Sequence, residues 1–135
     1  MNVPKVGLLI CNSGSSNSGT ITGIAGMELV KELGGDRVGI CSLPALVHEI
    51  PRQVLTVKNL ERLIIIDGCR NACARRIAEK LSLSQEMYLN LEDDLHIAKL
   101  GPFSTFQYSV EDVRKVKEAI RARIEHIGGA RSCRS

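Results

Sequence analysis

The stretch LIIIDGCRNACARRIAEKL, from Leu63 to Leu81, contains the strongest structural signal in this chain. It begins with an unbroken apolar run, Leu63 to Ile66, which is typical of a strand buried on both faces of a parallel sheet. After Asp67-Gly68 the apolar residues change to helical spacing. Two cysteines, Cys69 and Cys73, stand four residues apart at this predicted turn from strand to helix.

Apolar runs and helical patterns alternate along the rest of the chain. This alternation predicts a three-layer α/β fold, in which helices cover both faces of a mostly parallel sheet. We predict four strands in the flavodoxin-like order 2-1-3-4, with the order 3-2-1-4 as the alternative. The predicted strands are residues 5–12, 36–43, 63–67 and 87–91. The predicted helices run from about Thr20 to Leu33, from Pro51, from the Cys69 turn, and from a capping box of Ser109 and Asp112 to Gly128-Gly129.

Length and composition indicate one globular domain. The chain has 135 residues, of which 44% are hydrophobic and 24% are charged. The composition is that of a globular protein, and the length suits one domain with its own core but is too short for two. We place the domain at residues 1–128 and interpret residues 129–135 as a flexible C-terminal tail.

Charge and hydropathy exclude several partner classes. The formal net charge is only +3, and the chain has no Trp, two Tyr and two Phe to stack on bases, so we expect no nucleic-acid partner. No segment approaches the roughly 20 apolar residues of a membrane span. The apolar run Val6 to Ile10 is also shorter than the roughly 7 to 15 residues of a signal peptide. We therefore expect a cytoplasmic protein, where cysteines are more often thiols or metal ligands than disulfides.

Four of the five cysteines are predicted to lie at one edge of the sheet. Cys11 ends the first predicted strand, Cys41 ends the second, and Cys69 and Cys73 follow the third. In parallel sheets the carboxyl ends of the strands share the edge at which ligands bind. The order 2-1-3-4 would place Cys11 between Cys41 and Cys69, so the sequence predicts a shared site.

The chemistry of that site favours zinc. Residues four apart on a helix share a face, so Cys69 and Cys73 are expected to turn their sulfurs toward one point. The positive end of a helix also favours the thiolate form, which is the form that binds metal. Four thiolates suit tetrahedral zinc, with an iron–sulfur cluster as the poorer fit. We expect Asp67 and Gly68 to surround these ligands without coordinating the metal.

Two motifs resemble a known family. CNSGSSNSG, from Cys11 to Gly19, and IDGCRNACA, from Ile66 to Ala74, are similar to the DGC-domain family, named for its Asp-Gly-Cys. The resemblance extends over most of the chain up to about Gly101. It implies zinc binding by four shared cysteines, which would here be Cys11, Cys41, Cys69 and Cys73. It implies no particular reaction.

An enzymatic alternative stays open. Residues Cys69 to Arg75 fit C-x5-R, the loop in which cysteine phosphatases and arsenate-reductase-like enzymes use a thiolate nucleophile beside an arginine. Its interior, RNACA, contains no glycine to curl around an anion, and it contains Cys73, which would oxidise onto Cys69. A zinc-thiolate enzyme with an exchangeable ligand is a further alternative.

The loop SGSSNSG follows the first strand and has two interpretations. Its backbone N–H groups could bind an anion or small ligand, through Ser15, Ser16, Asn17 and Gly19. Alternatively, Ser16, Asn17 or Ser18 only caps the following helix. Both interpretations stay open. In either case the sequence does not identify the partner, which would be a small ligand or a protein.

The remaining polar candidates are weaker. A solvated role is favoured for the histidines and for the acidic run after the fourth strand, although that run could approach the same edge. Cys133 lies in the predicted tail, where no site is predicted. These residues are His48, His96, Glu92, Asp93, Asp94 and Cys133.

Overall fold

The central sheet has four parallel strands in the order β2-β1-β3-β4. The computed structural model describes residues 3–134, with side chains described as far as residue 126. The strands are β1 (Val6–Ile10), β2 (Val38–Ile40), β3 (Arg62–Asp67) and β4 (Met87–Asn90). The helices are α1 (Asn17–Leu33), α2 (Leu43–Val47), α3 (Pro51–Lys58), α4 (Cys73–Lys80), α5 (Leu91–Leu95) and α6 (Val110–Arg134).

Each face of the sheet has its own core because strand side chains alternate between the two faces. Leu8 and Ile64 belong to the core beneath α1 and α6. Leu9 and Ile65 belong to the opposite core, which packs against α3 and α4. All four side chains are fully buried. The predicted three-layer α/β class and the strand order 2-1-3-4 are therefore confirmed.

Capping side chains set the beginnings of the two long helices. The Ser16 hydroxyl accepts a hydrogen bond from the N–H of Gly19, so α1 begins at Asn17, about three residues before the predicted start. At α6 the predicted capping box is confirmed. Ser109 N–H donates to the Asp112 carboxylate at 3.3 Å, and Asp112 N–H donates to the Ser109 hydroxyl at 3.1 Å.

The prediction that α6 ends at Gly128-Gly129 is wrong, since its backbone is helical as far as Arg134. A glycine costs only about 1 kcal/mol inside a helix, which does not by itself end it. The boundary between domain and tail at residue 128 stays a prediction. The Cys133 side chain lies outside the described residues.

Within residues 3–134, none of the helices combines the length and the apolar character needed to cross a lipid bilayer.

Candidate metal centre

Three cysteines surround one cavity at the carboxyl edge of the sheet. Cys11, Cys69 and Cys73 line this thiol cavity, which has a volume of about 130 Å³. Cys11 and Cys69 are half-buried, and Cys73 is exposed. The structure therefore brings together three of the four predicted ligands.

Cys41 lies elsewhere. It lines a separate cavity of about 210 Å³ between β2 and α3. Its sulfur lies 3.1 Å from the position that a Cβ would occupy on Gly7 of β1, four residues before Cys11. The register explains this position: Leu8 pairs with Ile40, so Cys41 is level with Leu9 and two residues short of Cys11. Burial raises the pKa of the Cys41 thiol to about 12.

The thiols are not arranged around a metal position as they stand. Among the side chains described up to residue 126, no three His, Cys, Asp or Glu residues form a group that could hold a metal ion. The three cysteines that line the cavity nevertheless offer sulfur donors, which suit a soft divalent ion. The four-cysteine ligand set stays a prediction.

Asp67 positions the helix that contains Cys73. Its side chain is only 1% exposed. One carboxylate oxygen accepts the N–H of Ala74 at 2.8 Å, and the other accepts the N–H of Arg75 at 3.0 Å. The second oxygen also accepts the hydroxyl of Tyr88 at 3.0 Å. A negative charge at a helix N-terminus is favourable, so Asp67 fixes the first turn of α4 beside Cys11.

The expectation that Cys69 lies on a helix is wrong. Helix α4 begins at Cys73, because Ala72 adopts a left-handed conformation with φ of 53°. Cys69 lies in the preceding turn, and its carbonyl accepts a hydrogen bond from the Asn90 side chain at 2.9 Å. The argument from a shared helix face therefore does not apply. The two cysteines instead line the cavity from the two ends of a turn.

The acidic run after β4 holds this turn. Glu92 accepts the backbone N–H of Arg70 at 2.9 Å, and Asp93 accepts the Nε of the same arginine at 2.7 Å. Asp94 accepts the N–H of Asn90 at 2.8 Å. The run therefore reaches the same edge, where it fixes the backbone beside Cys69 and does not line the cavity. His48 and His96 are exposed and do not line it either.

Two glycines allow the loop after β1 to pack against this turn. A Cβ on Gly19 would overlap the carbonyl oxygen of Ser13, and one on Gly68 would lie 2.9 Å from the carbonyl carbon of Ser18. A side chain at Gly68 would separate α1 from the Cys69 turn, and one at Gly19 would displace the loop from the start of α1. The loop thus caps α1 through Ser16 and also lines the cavity. The capping interpretation is confirmed for Ser16, and ligand binding by the loop stays a prediction.

Lys99 is a site residue that the sequence analysis missed. Its ammonium donates to the sulfur of Cys69 at 3.7 Å. Asn17 fixes this position, since its amide donates to the carbonyl of Ala98 at 3.0 Å and accepts the N–H of Leu100 at 2.9 Å. Asn17 itself does not line the cavity. No local sequence signal indicates Lys99, because the two Asn17 hydrogen bonds that fix its position join residues more than 80 positions apart.

The pKa of the Cys11 thiol is raised to about 11. Burial is the main cause, and the neighbouring Cys73 and the Asp67 carboxylate also raise it. Cys11 and Cys73 are neighbours in the thiol cavity.

Arg75 is turned away from the cavity. Its Nε donates to Gln85 at 3.2 Å and lies 3.6 Å from Glu79, and its guanidinium stacks on Tyr88 at 4.9 Å from the ring centroid. A cysteine phosphatase needs that arginine to hold the phosphate. The position of Arg75 therefore argues against the C-x5-R phosphatase alternative.

Comparison with known proteins gives one positive result. Residues 8–120 match the DGC domain. No curated protein and no solved structure matches the chain.

Replacing Asp67 should weaken the fold through α4. In Asp67→Asn, an amide N–H₂ group replaces one acceptor oxygen and faces a backbone N–H. We expect a loss of about 1 to 3 kcal/mol in the free energy of unfolding, measured by urea titration. The control Asp36→Asn removes the same charge at an exposed position and should cost no more than about 0.5 kcal/mol. Equal losses in the two variants would refute the capping role.

Proposed function

Because the chain belongs to the DGC-domain family, we propose that it binds one zinc ion through the three cysteines of the thiol cavity, Cys11, Cys69 and Cys73. The observation that carries this proposal is that these three cysteines line one cavity. Thiolate sulfurs are the ligands that zinc accepts best in a tetrahedral site. The reducing cytoplasm, where we expect the protein to act, keeps such thiols available.

Cys41 is left out of the proposed ligand set. Its sulfur faces Gly7 in another cavity, and its thiol is the more strongly buried of the two thiols with raised pKa values. A tetrahedral ion with three protein ligands keeps one open position, which is typical of functional rather than structural zinc. We therefore favour a zinc ion that binds a small ligand at its open position over one that only stabilises the strand ends.

The residues around the cavity suit a negatively charged metal complex. Zinc at +2 with three thiolates at −1 each carries one net negative charge. Lys99 supplies one positive charge at 3.7 Å from the Cys69 sulfur. In the structure this ammonium donates a hydrogen bond to the Cys69 sulfur. The proposed zinc binding therefore requires the Cys69 side chain to turn toward Cys11 and Cys73. Lys99 then acts on the complex through charge.

Bound zinc would supply a Lewis acid at its open position, and a reaction there is not part of the proposal. What the chain itself contributes is position and polarity. Asp67 and Asn90 fix the backbone beside Cys73 and Cys69. Ser13 and Ser15 line the same cavity and offer neutral hydroxyl groups to a small ligand.

Zinc affinity should separate the cysteines. In reduced protein titrated against a chromogenic chelator, we expect about one zinc per chain. Cys11→Ser, Cys69→Ser and Cys73→Ser should each weaken binding by more than the roughly 10- to 100-fold that loss of an outer partner costs. Cys41→Ser and Arg75→Ala are the matched controls and should leave the affinity unchanged.

Each contrary outcome has its own meaning. If Cys41→Ser weakens binding as much as the other serine variants, a four-thiolate site replaces the proposed one. If the wild type binds no zinc, the proposed function fails. Hydrolysis of an aryl phosphate that disappears in Arg75→Ala would instead restore the phosphatase alternative.

Lys99 should increase zinc affinity. In Lys99→Gln, the anionic complex loses its counter-charge, so we expect zinc to bind about 10-fold more weakly, while Lys99→Arg retains most of the affinity. The control Lys115→Gln makes the same charge change at an exposed site on α6 and should have no effect. If both Gln variants lose affinity equally, the effect is one of net charge and Lys99 has no special role.

A further inference from the structure

Cys11 and Cys73 are adjacent for reasons that do not involve a metal. Cys11 follows β1, and its N–H donates to the carbonyl of Ile66 at 3.1 Å. This register places it beside Asp67, whose carboxylate accepts the N–H of Ala74 at 2.8 Å. Cys73 precedes Ala74, so the first turn of α4 brings its thiol to Cys11. Both side chains line the thiol cavity, and Cys73 is the thiol that raises the pKa of Cys11.

The other described thiols have different neighbours. The sulfur of Cys69 faces the ammonium of Lys99 at 3.7 Å. Cys41 lies in the cavity between β2 and α3. Of the four described cysteines, only Cys73 is exposed, whereas Cys11 is half-buried directly beside it. A dissolved oxidant therefore reaches Cys73 first, and Cys11 is the thiol in the same cavity that has no ammonium bound to its sulfur.

We propose that Cys11 and Cys73 form a redox pair, which a hydroperoxide converts to an intramolecular disulfide in the metal-free protein. In the first step the Cys73 sulfur attacks the peroxide, whose O–O bond breaks and releases an alcohol or water. Cys73 becomes a sulfenic acid. In the second step the Cys11 sulfur attacks the Cys73 sulfur, the S–O bond breaks, and the hydroxyl leaves as water with the Cys11 proton.

The electrons balance between the pair and the oxidant. Two thiols lose two electrons and two protons, and the hydroperoxide gains them as one alcohol and one water. A dithiol reverses the reaction by thiol–disulfide exchange. The pair itself does not depend on zinc. If the proposed function also holds, the disulfide removes two of the three ligand sulfurs, so oxidation and zinc binding exclude each other.

A tryptic map of the oxidised protein identifies the linkage directly. Trypsin cleavage after Lys and Arg separates every cysteine: Cys11 falls in residues 6–31, Cys41 in 38–52, Cys69 in 63–70 and Cys73 in 71–75. Full-length Cys133→Ser protein is stripped with a chelator, treated with a small excess of hydrogen peroxide, alkylated and digested without reductant. We expect peptide 6–31 linked to peptide 71–75, about 2 Da below their summed mass, and separated again by a dithiol.

The controls use the other two cysteines. Cys41→Ser and Cys69→Ser should still form the link, and Cys11→Ser should not. The proposal is overturned if peptide 63–70 or 38–52 takes the place of either partner, or if Cys73 is oxidised to the sulfinic acid with no cross-link. Because the first map is read on protein with all four described thiols intact, its result does not depend on how these serine variants fold.

Zinc provides an independent arm of the experiment. Added before the peroxide, zinc should slow formation of the link at least several-fold if Cys11 and Cys73 are ligands. If the link forms at the same rate with zinc present, the proposed function fails and the redox pair stands. If no link forms in the metal-free protein, the pair fails whatever the zinc result.

Discussion

The buried carboxylate of Asp67 is the contact on which the arrangement of the candidate site depends. It lies at the end of β3 and accepts two N–H groups from the first turn of α4 and the hydroxyl of Tyr88. No side chain at Ala72 caps this helix, so the strand itself supplies the cap. Strand β3, helix α4 and strand β4 are thereby joined at one point, and Cys73 comes to lie beside Cys11. The Asp-Gly-Cys motif thus has a structural meaning for each residue: Asp67 caps, Gly68 lets α1 approach, and Cys69 faces the cavity.

The parts of the structure that depend on local pattern were predictable from the sequence. Buried strands follow from apolar runs, and the capping box of α6 follows from side chains three residues apart. The order 2-1-3-4 was one of two that this pattern allowed. The cysteines were predicted at one edge because each follows a strand. What the pattern does not contain is the register, which places Cys41 two residues short of Cys11. It also does not contain the left-handed Ala72, which delays α4 until Cys73.

The contacts that complete the site join distant parts of the chain. Lys99 reaches Cys69 because Asn17, at the start of α1, holds the residues on either side of it. A serine-rich loop and an acidic run, each ambiguous in the sequence, turn out to line the cavity and to fix the Cys69 turn respectively. Such long-range hydrogen bonds leave no periodic signal. These hydrogen bonds place three cysteines and the ammonium of Lys99 around one cavity at the edge of the sheet.

The central claim is that three thiolates, and not four, form the metal site, and X-ray absorption of the zinc-loaded protein tests it most directly. The account predicts three sulfurs at about 2.3 Å and one oxygen or nitrogen at about 2.0 to 2.2 Å from the zinc. Four sulfurs at about 2.3 Å would contradict it, because the fourth sulfur would have to come from Cys41 or from a thiol outside the described residues.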